Sequence, residues 1–294
     1  MKWLFPLAKR FIAGHDFDSA KPVIQKLIEQ GYDVSIDYLG ELSTTEEQCD
    51  LAEQQYFEII DYYDMITIDI SLKITQLGLK INKQKCYDRL ERIVHKAYLC
   101  GHTVRLDMED SAVTGDTVDV CLRAHEKYKN IGIALQCNLH RTKDDINALL
   151  NAGVSIRLVK GAYKEDITIA HQKNNIIEEM FLFQALKLFS HRLRSYNTRS
   201  NDITPISAIG THDEDLIEKL LNYARNFNVK KTDFDIEMLY GIRRDLSSSL
   251  HNAGYGVRLY VPFGTDWLPY TLRRLKEFKN MKFVFTNVFK EIFS

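Results

Sequence analysis

No C-x-x-C pair occurs among the five cysteines, Cys49, Cys86, Cys100, Cys121 and Cys137. Neither a disulfide framework nor a zinc knuckle is therefore expected, and the natural compartment is a reducing one. Only five prolines and 14 glycines are spread over 294 residues, with no low-complexity tract, which leaves little room for a disordered linker. Net charge is almost absent too. Thirty-nine Lys and Arg balance 40 Asp and Glu to a formal −1, so the basic field that nucleic acid or a polybasic membrane contact requires is missing. No apolar run reaches bilayer-spanning length, and Pro6 interrupts the opening Met1-Lys-Trp-Leu-Phe-Pro-Leu run before it could serve as a signal core. The nine histidines form no H-E-x-x-H or comparable metal spacing, and neither a Walker loop nor a G-x-S-x-G elbow occurs. No metal site is expected, and hydrolytic or NTP-driven chemistry is disfavoured.

The rest is ordinary globular material, 45% hydrophobic and 27% charged. An amphipathic opening, with Val23, Ile24, Leu27 and Ile28 at helical spacing and Gly31 as a stop, gives way to short β-branched runs. These are Val34–Leu39, Met65–Lys73, Thr103–Met108, Ile131–Cys137, Val154–Lys160, Pro205–Ile209, Phe234–Tyr240 and Val257–Val261. Between them lie helix-period segments at Thr44–Tyr63, Lys83–Cys100, Thr117–Tyr128, Asp144–Asn151, Thr168–Tyr196, Asp213–Phe227 and Ile242–Asn252, with a last helix from Asp266 to Lys279. Strand-helix alternation with connections too long for hairpins is the pattern of parallel sheets. This many units in one chain of this length predict an α/β fold, a (β/α)8 TIM-type barrel with an extra N-terminal helix. Residues 1–32 are expected to form the helical segment and 33–294 the catalytic barrel. A Rossmann sheet is the nearest rival, but no G-x-G-x-x-G follows any strand, and Gly254-Tyr-Gly256 lacks the third glycine.

Chemistry in such barrels sits at the C-terminal strand ends, and many polar residues fall there. Lys73 closes the second strand, Asp107 with Glu109 and Asp110 the third, and Gln136 with Asn138 the fourth. Arg157 and Lys160 lie on the fifth, Thr211-His212-Asp213 follows the sixth, Glu237 and Tyr240 end the seventh, and Tyr260 lies in the eighth. By pattern alone these could be a structural ion network or an active site. On the last helix Arg273 and Arg274 are adjacent, with Glu277 one turn on, a spacing that suits a bidentate grip on a carboxylate or phosphate held by an orienting acid. The Arg243-Arg244 pair reads as a solvated helix face.

Taken together, Ser-Leu-Lys73-Ile-Thr, Arg105-Leu-Asp107-Met108-Glu109, Gln136, Arg157-Leu-Val-Lys160-Gly161-Ala162-Tyr163, Thr211-His212-Asp213, Met238-Leu239-Tyr240-Gly241, Tyr260-Val-Pro-Phe-Gly264 and Leu272-Arg273-Arg274-Leu275 resemble the monofunctional proline dehydrogenase family, in order, from about Ser35 to Glu277. The resemblance implies a distorted barrel that binds FAD noncovalently and oxidises L-proline to Δ1-pyrroline-5-carboxylate by hydride transfer, passing electrons to a membrane quinone. By it, Arg273, Arg274 and Lys73 clamp the substrate carboxylate while Tyr260 and Leu239 wall the ring. Arg157 sits by the flavin near N5, and Met108, Gln136, Lys160, Gly161, Ala162, Thr211 and His212 hold the cofactor. Asp107 joins Arg157 as catalytic, positioning by its charge; Tyr163 and Glu277 are weaker assignments, the latter orienting the arginines. No dedicated general base is evident, so solvent is expected to take the amine proton. The rivals are 4-hydroxyproline oxidation on the same fold, which the bulk of Tyr260 disfavours, and methylenetetrahydrofolate reduction. No Arg-rich, acid-poor presequence heads the chain, and a cytoplasmic enzyme is expected. Peripheral membrane contact through the apolar, basic Met281–Phe289 stretch or the Trp3–Leu7 stretch would serve the quinone.

Overall fold

A computed structural model describes residues 8–195 and 203–280, with side chains followed to 191 and 275 at the two segment ends. The Trp3–Leu7 stretch, the Glu277 side chain and the Met281–Phe289 stretch lie outside the described residues. In chain order the elements are α1 (Phe17–Glu29), β1 (Asp33–Tyr38), α2 (Glu46–Tyr62), β2 (Asp69–Leu72), α3 (Lys83–Leu99), β3 (Thr103–Leu106), α4 (Ser111–Lys127), β4 (Ile131–Gln136) and α5 (Thr142–Ala152). They continue as β5 (Ser155–Val159), α6 (Asn174–Ser195), β6 (Ala208–Gly210), α7 (Glu214–Asn226), β7 (Asp235–Leu239), α8 (Arg244–Asn252), β8 (Gly256–Phe263) and α9 (Trp267–Asn280). The eight strands form one closed parallel barrel, β1 pairing with both β2 and β8.

The helices follow from caps and periodicity. Asn82 accepts a hydrogen bond from the Lys85 amide to start α3, whose buried stripe is Cys86, Leu90, Ile93, Val94 and Ala97; Asp213 does the same for α7 through the Leu216 amide. Several boundaries differ from the sequence expectation: α4 starts at Ser111 rather than Thr117, where the Asp110 side chain caps it through the Ala112 amide, and β6 runs Ala208–Gly210 rather than Pro205–Ile209. The segment before α6 is a loop, because the Asp166 side chain accepts from both the amide and hydroxyl of Thr168, and Leu139 bridges to Ala170. Upstream of β2, Met65 is 89% exposed and the strand starts only at Asp69.

Period-2 alternation divides each strand between two environments. The outward set, including Ile36, Ile70, Leu72, Val104, Leu106, Ile133, Ile156, Leu158, Ile236 and Val261, is buried under the helix ring as the main core. The inward set is polar, unlike the aliphatic layers common in this fold. Deep in the barrel, Arg105 Nε lies 3.1 Å from Asp69 Oδ2, and both side chains are 0% exposed. Arg258 Nη2 lies 2.8 Å from Asp235 Oδ2 in the same layer, while Ser35 and Thr103 donate to Asp69 at 3.0 and 2.6 Å. Burial alone would raise the Asp69 carboxyl's proton affinity, but Arg105 and Arg258 hold it well below the usual carboxylate range. This layer is a buried ion network made of residues other than the strand-end set; it lies beneath the C-terminal strand ends.

The barrel mouth is partly roofed by a second apolar cluster of Ala8, Phe11, Ile12, Leu39, Ile242 and Tyr270, with Leu239 and Trp267 packed on it. The N-terminal segment comes so close that a Cβ on Gly241, at φ +79°, would overlap the Arg10 carbonyl. Through Tyr270 and Trp267 the same cluster packs against α9, the helix that carries Arg273 and Arg274.

Candidate active site

A cavity of about 1150 Å³ opens at the C-terminal strand ends, and Lys73, Asp107, Met108, Gln136, Arg157, Lys160, Gly161, Ala162, Tyr163, Thr211, His212, Leu239, Tyr260, Arg273 and Arg274 line it, whereas Glu109, Asp110, Asn138 and Tyr240 do not. Its floor is a second inward layer, one step above the structural one. Lys73, just past β2, has its ammonium 3.0 Å from Asp37 Oδ1 and 3.2 Å from Asp107 Oδ2. Arg157 on β5 donates to Asp107 through Nη2, and through Nη1 to Glu237 at 2.5 Å and to Ser71 at 3.1 Å. Tyr260 on β8 donates its hydroxyl to Asp107 Oδ2 at 2.6 Å, and its ring centroid lies 5.2 Å from the Arg157 guanidinium.

The protonation states follow from this arrangement. Burial opposes the charge on Lys73, but Asp37 and Asp107 outweigh it and hold the ammonium well above its ordinary value. Burial likewise opposes the Asp107 carboxylate, yet Arg157 and Lys73 bring it below the usual range. Asp37 goes the other way: burial and the neighbouring Asp107 raise its proton affinity more than Lys73 lowers it. The floor thus holds a fixed ammonium, a fixed guanidinium, one firmly ionised carboxylate and one carboxyl with an appetite for a proton.

Around the rim, Arg273 pairs with Glu41 on the loop after β1 at 2.8 Å, and the Arg274 guanidinium lies 5.2 Å from the Tyr270 ring. Among the described side chains the carboxylate on Arg273 is Glu41; the Glu277 side chain, expected to orient the arginines, lies outside them. The Arg243-Arg244 pair also departs from expectation. Arg243, at φ +46°, has a side chain only 17% exposed and paired with Glu214 and Asp245, and it lines the cavity. Arg244 instead lies 5.5 Å over the Tyr240 ring.

The far side of the cavity combines backbone, neutral and ion-paired groups. Gln136 is held at both ends of its amide, donating to the Glu109 carbonyl at 2.9 Å and accepting from the Ala162 amide at 3.1 Å. Lys160 is bound to Asp213 and Glu178 at 2.8 and 3.0 Å. Thr211 accepts from the Asp213 amide at 3.2 Å. His212 Nε2 accepts from the Leu239 amide at 2.8 Å; burial, helped by Arg274 and Arg243, pushes its pKa down to about 3. It is a neutral imidazole that ties the β6 loop to β7.

Two features bear on FAD. Gly161, at φ +115°, has no room for a Cβ, which would meet Asn138 Oδ1 at 2.1 Å. That Asn138 oxygen is buried without a hydrogen-bond partner among the described residues, an acceptor open to a ligand donor. With a side-chain-free cradle, an open acceptor, fixed cations and enough volume for a dinucleotide, the residues present fit the cofactor.

Sequence reasoning missed three carboxylates of the site. Asp37 shares the inward phase of Ser35 in the β1 run, and that phase could have found it. Glu237 was noticed at its strand end but given no role. Glu41 lies in a loop, where no periodicity marks it.

A closed parallel barrel whose mouth gathers cations around a partly apolar cavity is a TIM-type barrel enzyme, equipped for a small anionic substrate and a large cofactor. The proline dehydrogenase family profile matches residues 20–285. Proline dehydrogenase 2 of Bacillus subtilis (strain 168) is 32% identical over 287 residues, covering 97% of this chain and 91% of the relative. The proline dehydrogenase of Deinococcus radiodurans is 30% identical over 302 residues, covering 98% and 91%. Among solved structures, proline utilization A from Bdellovibrio bacteriovorus, inactivated by N-propargylglycine, is similar in fold with a TM-score of 0.82 at 23% identity. The likeness covers 92% of this chain and 32% of that one, so the chain spans about a third of that neighbour's length. The chain belongs to the proline dehydrogenase family, flavoenzymes that oxidise proline with FAD in the first step of its catabolism.

Proposed function

We propose that the chain oxidises L-proline to Δ1-pyrroline-5-carboxylate, with residues 33–294 as the catalytic unit and 1–32 as a helical segment. FAD, when bound, would supply the acceptor for the hydride leaving proline C5, with a membrane quinone as the final acceptor of the electrons. The observation that carries the reading is the convergence of Lys73, Arg273 and Arg274 on one cavity beside the Tyr260 and Leu239 wall. An ammonium and two guanidinium groups fit one carboxylate, and holding it fixes the substrate ring in one orientation. Lys73 is already locked in place by Asp37 and Asp107, so little ordering remains at the moment of binding.

Asp107 is held ionised by Arg157 and Lys73 against burial and is therefore a poor proton acceptor; the substrate's ammonium proton passes to solvent. Arg157 stabilises negative charge developing in the cavity during the transfer. Met108, Gln136, Lys160, Gly161, Ala162, Thr211 and His212 form the cofactor's share of the wall. Among the described residues no helix is long and apolar enough to cross a membrane; the quinone contact at a membrane surface and the cytoplasmic location are part of the proposal.

Tyr260 decides between proline and 4-hydroxyproline. Its hydroxyl is pinned to Asp107 and the residue is only 8% exposed, so the ring cannot swing aside for a substrate hydroxyl. Steady-state kcat/KM is expected to favour L-proline over 4-hydroxyproline by at least about tenfold, and over pyrrolidine, which lacks the carboxylate, by about 10³-fold or more. Preference for hydroxyproline, or equal turnover of pyrrolidine, contradicts the assigned clamp and wall.

A further inference from the structure

Arg157 is buried between two carboxylates, and the two are not equivalent. Asp107 divides its charge between Arg157 and Lys73 and also accepts from Tyr260. Glu237 contacts one cation: its Oε1 lies 2.5 Å from Arg157 Nη1, and its side chain is 2% exposed. Its other oxygen, Oε2, is buried with no hydrogen-bond partner among the described residues.

The barrel is shaped to permit this reach. Pairing runs Val159 to Gly210 and Gly210 to Glu237, so at this level β6 places no side chain between β5 and β7. A Cβ on Gly210 would stand 2.8 Å from Val159 Cγ1 and 3.6 Å from Arg157 Cγ. Arg157, whose Cγ lies beside Gly210, meets Glu237 across that gap, and both line the cavity that Gln136 and Lys160–Ala162 also line. The electrostatic effect of Arg157 on any electron-accepting group held there is therefore set largely by Glu237.

We propose that Glu237 is a charge-tuning and positioning residue: it fixes the Arg157 guanidinium and offsets its charge, keeping bound FAD from becoming too strong an electron acceptor. This inference rests on the FAD reading above. An unopposed guanidinium in a water-poor cavity favours the electron-rich reduced form. A cofactor that must also give its electrons up needs that preference limited, and a buried carboxylate on the far side of the same guanidinium supplies the limit. Glu237 acts through Arg157.

The test is an anaerobic redox titration of FAD-loaded wild-type, Glu237→Gln and Glu237→Asp proteins against a reference dye, followed by flavin absorbance. With the negative charge removed, Glu237→Gln is expected to keep FAD and to shift the equilibrium toward reduced flavin by tenfold or more, about 30 mV upward for a two-electron couple. Glu237→Asp keeps the charge and is expected to stay within about threefold of wild type. An unchanged or lowered potential in Glu237→Gln, or an equal shift in Glu237→Asp, overturns the proposal. Loss of FAD or of folding in Glu237→Gln overturns it as well, since a tuning carboxylate is dispensable for holding the cofactor. A wild-type protein that takes up no FAD refutes the FAD reading itself; a loaded wild type with an unmoved variant refutes only the role of Glu237.

Discussion

Lys73→Met is expected to lower kcat/KM for L-proline by about 10³-fold, with the barrel still folded. Two effects add. The ammonium that meets the substrate carboxylate disappears, and Asp37 and Asp107 lose the cation 3.0 and 3.2 Å away. Removing one partner of a buried, hydrogen-bonded ion pair costs about 3–5 kcal/mol, and about 1.4 kcal/mol is a tenfold change. Folding survives because Asp37 already has a raised proton affinity, from burial and from Asp107, and can meet the loss of Lys73 by taking up a proton. Asp107 keeps Arg157. The check is steady-state kinetics beside far-UV circular dichroism. A folded Lys73→Met protein within tenfold of wild type would remove Lys73 from the carboxylate clamp.

The second large effect falls one layer lower and has the opposite character. Arg105 has no contact with solvent and donates to Asp69, to Ser155 at 3.4 Å and to the Ile206 carbonyl at 3.0 Å. Arg105→Met takes from Asp69 the cation that contacts it and is expected to cost about 3–5 kcal/mol, a large share of the roughly 5–15 kcal/mol that holds a folded domain together. The protein that remains folded should turn over proline near the wild-type rate. Replacing both partners, Arg105→Met with Asp69→Leu, should recover most of the loss, because no buried charge is then stranded. Urea midpoints read the stability and kcat reads the separation of layers. An Arg105→Met protein of wild-type stability contradicts the structural role given to this network.

The two layers also explain how much the sequence could show. Strand positions were legible because the outward aliphatic residues, such as Ile36, Ile70, Val104 and Ile156, alternate with polar ones, and seven helical segments between strands with an eighth after the last point to a closed barrel. Alternation alone cannot tell Arg105 from Asp107: they share a face two residues apart, one sealed inside the barrel and the other at the mouth. Depth along the barrel axis comes from register across all eight strands, which a single strand does not carry. The family resemblance ranked these residues where period could not. Glu41 escaped notice because a loop has no period, and the start of α6 was set too early because Asp166 captures Thr168 in a local turn that competes with the helix.

In the proposed reaction one cavity holds both FAD and L-proline in reacting order. Its most direct test is an anaerobic visible spectrum of the FAD-loaded protein before and after L-proline, with no electron acceptor present. The account predicts an oxidised flavin spectrum that bleaches on adding proline and returns when a quinone is admitted. A yellow protein that proline leaves unchanged, and that NAD(P)H bleaches instead, would contradict it.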